Sequence, residues 1–92
     1  MTSEGRPGAR LQRALAARNL TSAEHAAFEI AFISLEQARE LVELYAEKGD
    51  AKYERAALKY LARYMAEGNP SLADLAQITA VLAERGLLMR GL

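Results

Sequence analysis

One stretch of this chain constrains the fold more than any other. From Tyr53 to Met65 the apolar residues fall at Tyr53, Ala56, Ala57, Tyr60, Leu61, Tyr64 and Met65. That is the i, i+3, i+4, i+7, i+8, i+11, i+12 pattern of one helix face. No alternation of useful length marks a strand. Punctuation elsewhere divides the chain into further helices. Thr21 and Glu24 form a T-x-x-E capping box that starts a second helix near Ser22. This helix carries its apolar residues on to Ile33. Ser34 and Gln37 form S-x-x-Q and start a third. Gly49 suits a left-handed helix end, and Asp50 suits the cap of the next helix. Gly68, Asn69 and Pro70 end the fourth helix, Ser71 and Asp74 open a fifth, and Gly86 closes it. The expectation is an all-α fold: a small bundle of four main helices plus a short N-terminal helix over Ala9–Arg18. Residues 1–8 read as a flexible arm and residues 9–92 as a single helical domain.

The link between the third and fourth helices is about two residues, so these should form a central antiparallel hairpin. A turn at Gly49-Asp50 sets Leu35 opposite Tyr64, Ala38 opposite Leu61, Val42 opposite Ala57 and Tyr45 opposite Tyr53. Leu58 and Met65 widen the apolar arc of the fourth helix to roughly 200°. It is therefore the expected central helix, with Tyr60 and Leu61 in the middle of the core.

Chemistry-bearing motifs are scarce. The chain has no cysteine and one histidine, so thiolate zinc sites and disulfides are excluded and a catalytic zinc site lacks ligands. His25 and Glu29 lie one turn apart, but two ligands do not make a site. Glu36, Glu40, Glu43 and Glu47 form a stripe on the third helix, nearly opposite its apolar face, so they point to solvent. No nucleophile elbow, phosphate loop or dinucleotide fingerprint occurs. The expectation is therefore no catalytic residues, no metal and no cofactor: not an enzyme.

Charge is balanced overall, with twelve basic and twelve acidic residues. It is unevenly spread, since Arg6, Arg10, Arg13 and Arg18 face only Glu4 among the first twenty residues. The fourth helix carries Lys52, Arg55, Lys59 and Arg63 outside its apolar arc, a candidate anion-contact face. The hairpin register sets Glu47 level with Lys52, Glu43 with Arg55, Glu40 with Lys59 and Glu36 with Arg63. Mutual neutralisation is expected, which weighs against nucleic acid as a partner.

The second helix is apolar almost all round. Ala23, Ala27, Ile30 and Ile33 lie on one side, and Phe28 and Phe32 nearly opposite. Such a helix must be covered on both sides. Leu11 and Leu15 of the first helix offer too little to cover both phenylalanines. Phe28, Phe32, Leu11 and Leu15 are accordingly the candidate self-association residues, and a homodimer is expected.

Several segments together resemble a set of small all-helical actinobacterial proteins with no assigned function. They are Ser34–Ala38, Ala46–Asp50, Tyr53–Tyr64 and Pro70–Leu75. The resemblance implies a helical fold and no site residues. No run is apolar enough to span a membrane, and residues 1–8 lack a signal-peptide core, so a cytoplasmic protein is expected. The functional expectation is a non-enzymatic adaptor or regulatory protein acting through helix-surface contacts with an unidentified protein partner. A nucleic-acid-associated regulator using the basic stripe is the alternative.

Overall fold

A computed structural model describes residues 7–90, and among these it contains five α-helices and no strand. They are α1 Pro7–Ala16, α2 Leu20–Phe28, α3 Leu35–Lys48, α4 Tyr53–Glu67 and α5 Leu72–Met89. The all-α bundle expected from the periodicity is present. The first six residues of the expected arm lie outside the described residues. Pro7 and Gly8, assigned to that arm, instead open α1. A proline there forfeits no hydrogen bond, because the first N–H groups of a helix have no intrahelical partner.

The local capping signals produce most of the boundaries. The Gln37 N–H donates to Ser34 Oγ at 3.0 Å and the Ser34 N–H to Gln37 Oε1 at 3.2 Å, closing the expected box. Gly49 has φ +64°, and the Gly49 and Asp50 N–H groups satisfy the carbonyls of Ala46 and Tyr45. Ser71 Oγ accepts from the Asp74 N–H at 3.0 Å. Asp50 acts slightly before the helix start. Its carboxylate accepts from the Lys52 N–H at 2.8 Å, two residues on, in the turn that leads into α4.

Three boundaries differ from expectation. Asn19, not Thr21, caps α2, its Oδ1 accepting from the Ser22 N–H at 3.1 Å. The expected Thr21–Glu24 box does not form, and Glu24 is used elsewhere. The helix α2 ends at Phe28 instead of continuing through Ile33. Isoleucine and phenylalanine have weak helix propensity, and Ser34 needs extended backbone to cap α3. Gly86 does not end α5, which runs on to Met89. It faces α4 instead: a Cβ there would lie 3.6 Å from the Tyr53 ring.

The core has two parts joined by α3. Leu11, Ala14 and Leu15 of α1, Ala23 and Ala26 of α2 and Leu44 of α3 form the first. Val42 and Tyr45 of α3, Tyr53, Ala57 and Tyr60 of α4 and Leu82 of α5 form the second. The Tyr53 hydroxyl donates to the Leu82 carbonyl at 2.8 Å, tying α4 to α5. The helix α3 packs against all four others, whereas α4 meets only α3 and α5. The central helix is therefore α3, not α4 as expected. Leu58 and Met65, which had widened the α4 arc, are exposed. Tyr60 is buried as expected, but Leu61 is only half-buried.

Leu44 is fully buried where α1, α2 and α3 meet. Leu44→Ala should cost about 2–5 kcal/mol in urea unfolding. Leu61→Ala should cost clearly less, because it vacates less buried volume. Equal losses, or the reverse order, would place the centre of the molecule on α4.

Candidate functional site: an apolar groove edged by cations

The helices α2 and α4 flank α3 without approaching each other. Between them runs a groove of about 870 Å³. One wall is the end of α2 and the segment after it, including Phe28, Ile30, Phe32 and Ile33. The floor is the face of α3 bearing Ala38, Leu41, Val42 and Tyr45. The other wall is α4, with Ala56 and Tyr60. Lys52, Arg55, Lys59 and Arg63 all line the same groove. The aromatic pair and the basic stripe, read from the sequence as separate surfaces, thus face one space.

The i, i+3, i+4 spacing puts the four cations on one side of α4. The apolar face of α4 lies on α3, which leaves the cations at its flank, toward α2. The pairing expected with Glu36, Glu40, Glu43 and Glu47 does not occur. Lys52 Nζ binds Glu24 Oε2 of α2 at 2.6 Å. Arg63 binds Glu67, one turn along α4, at 2.8 Å. Glu47 pairs with Arg18, and Glu43 lies 3.6 Å from Arg39. Equal height on neighbouring helices is not enough: the cations line the groove toward α2, whereas Glu43 lies on the α5 side of the hairpin with Tyr53, Tyr60 and Ile78. Among the described residues Arg55 and Lys59 make no ion pair.

Each end of the groove is spanned by side chains. At one end Glu24 Oε2 accepts from both Lys52 Nζ and the Tyr45 hydroxyl, each at 2.6 Å. The Lys52 ammonium also lies 5.9 Å from the Tyr45 ring centroid. At the other end the Arg63 guanidinium sits 4.3 Å from the Phe32 ring centroid, a cation–π contact that braces the segment after α2. The sequence pattern missed Glu24 and Tyr45 as groove residues. Glu24 looked like a capping partner and Tyr45 like plain core. The i, i+4 spacing that sets Glu24 on one face with Phe28, one residue round from the Ala23–Ala27 face, was the available signal.

Leu11 and Leu15 do not belong to this surface. Both are fully buried under α2 and against α3, so they are closed to a second molecule. The self-association patch reduces to Phe28, 95% exposed, and Phe32, 69% exposed. His25 is exposed at the groove edge. Among the described residues no three His, Asp or Glu side chains lie together as metal ligands, and no described helix is long and apolar enough to cross a membrane.

Comparison with known proteins finds no family model, no curated protein and no solved structure that matches this chain.

The Lys52 ammonium, and then the Tyr45 hydroxyl, hold the Glu24 carboxyl below its ordinary range. Burial, then the bond to Glu24, pushes the Tyr45 phenol well above its usual value. A carboxyl whose folded pKa lies below its unfolded pKa stabilises the fold at neutral pH, and this contribution is lost as pH falls through the folded value. Wild type should therefore be more stable than Glu24→Gln at neutral pH. The gap should start to narrow as pH falls past the ordinary glutamate value of about 4.3 and close only once pH is below the lowered folded value, as measured by urea unfolding across pH. A gap unchanged through the acid range would remove Glu24 from the account.

Proposed function

We propose that this chain is a non-enzymatic adaptor or regulatory protein that receives a segment of another protein in the groove between α2 and α4. The observation that carries the reading is the exposure of Phe28 and Phe32 on the wall of a groove with an apolar floor. Burying one such side chain is worth about 1.5–3 kcal/mol. Aromatic residues in a concave surface are the usual anchors of protein recognition. Of the polar groups in the groove, Glu24, Tyr45, Lys52 and Arg63 are engaged with one another or with a neighbouring side chain. The Tyr45 hydroxyl is engaged by Glu24 and stays protonated at neutral pH. Nucleic acid fits less well, because only one wall is basic and phosphates would be driven against aromatic and aliphatic side chains.

A second reading is self-association: the same phenylalanines support a homodimer across the groove, at the cost of excluding another occupant.

Selection from a displayed library of helical peptides tests the first reading. Enriched peptides should lose binding to Phe28→Asp and Phe32→Asp. They should keep it to Leu72→Asp, which changes an equally open leucine outside the groove. No enrichment, or enrichment indifferent to the phenylalanines, would contradict it. Light scattering on the same proteins decides the occupant. A mass of twice the chain, reduced to one by Phe32→Asp, would make the second copy the resident.

A further inference from the structure

We infer that the occupant of the groove is an amphipathic helix of another protein, with an apolar ridge bordered by carboxylates one turn apart. This rests on the reading of the groove as a protein-binding site and adds the chemistry of the partner.

The charge arrangement carries the inference. The four cations extend from residue 52 to residue 63, about 16 Å along α4 at 1.5 Å per residue. The outer two are already engaged, Lys52 by Glu24 and Arg63 by Glu67. The inner two, Arg55 and Lys59, are exposed and unmatched among the described residues. They lie four residues apart, roughly 6 Å along the axis. A helix lying alongside α4 presents carboxylates at i and i+4 with that same rise. Its next face then meets the opposite wall of Phe28, Ile30, Phe32 and Ile33.

The backbone of the occupant follows from the apolar wall. An extended segment would set its N–H and C=O groups against side chains that cannot bond them. A helix satisfies its own backbone and presents only side chains.

A second copy of this chain is a poor occupant. The described exposed large apolar residues lie outside α3, while the glutamates one turn apart, Glu36 with Glu40 and Glu43 with Glu47, lie on α3. The exposed leucines of α5 are accompanied only by Asp74 and Glu84, far from one turn apart. No described helix combines the two features.

Two peptides of about 16 residues test this, long enough to match the cation row. They share one leucine ridge and differ only in the flanking positions, glutamate in one and lysine in the other. Fluorescence anisotropy should show the glutamate peptide binding wild type at least about tenfold more tightly, a difference that added salt narrows. The Arg55→Glu plus Lys59→Glu double variant should reverse the preference, and Phe28→Asp should weaken both peptides. Reversal is informative because a misfolded variant would bind neither peptide. Equal binding of both peptides, abolished by Phe28→Asp, would overturn the acidic partner while leaving the protein-binding groove intact. Binding of neither peptide to wild type would overturn both readings. Tighter binding of a short DNA duplex, lost in the same double variant, would replace the protein partner with nucleic acid.

Discussion

Val42 and Leu44 are two residues apart on α3 and belong to different halves of the core. Two residues on a helix diverge by about 200°, so α3 is buried from opposite sides at one height. One side takes the α1–α2 pair and the other takes α4 with α5. Everything else follows from this clamp. Because α2 and α4 each pack on α3, at the roughly 8–10 Å axis distance usual for packed helices, and on different sides of it, they do not pack on each other. The gap between them is the groove. A bundle centred on α4 would have had no reason to leave it.

The wall residues explain why the gap stays open. Ending α2 at Phe28 sends the chain through residues 29–34 before α3 begins. Ile30 and Ile33 turn toward the first half of the core and are partly buried there. Phe28 and Phe32 are left outside it. Arg63 lies over the Phe32 ring, and the Glu24–Tyr45–Lys52 group joins α2 to the turn before α4 at the other end. These braces are long polar side chains, which hold a spacing without filling the space. An apolar surface kept open in this way is poorly matched to water, which is why we propose that it serves recognition.

Legibility in the sequence followed the range of the interaction. Ser34 with Gln37, Gly49 and Ser71 act within one turn of the backbone, and each does what its local pattern implies. The hairpin of α3 and α4 was legible for the same reason, its link being too short for another geometry. Gly86 misled because its role is set by Tyr53, thirty-three positions away, and not by its neighbours. Thr21 and Glu24 misled because Asn19 competes for the same N-terminus, while Lys52 and Tyr45 compete for Glu24. The basic stripe and the two phenylalanines were each visible as patterns. That they share a groove depends on where α2 stops and on which helix is central. Both are decided by tertiary packing, and neither leaves a periodic trace.

Phe28 stands open on the groove wall, and the proposed occupant would cover it. The chain has no tryptophan, so Phe28→Trp places a single reporter on the wall. In dilute protein its emission should be that of a solvated indole, readily quenched by acrylamide. Adding the glutamate-flanked helix should shift the emission to the blue and protect it from the quencher. A reporter already blue-shifted and protected in dilute protein would mean that the groove is closed without a partner, and Phe28 would not be an open docking residue.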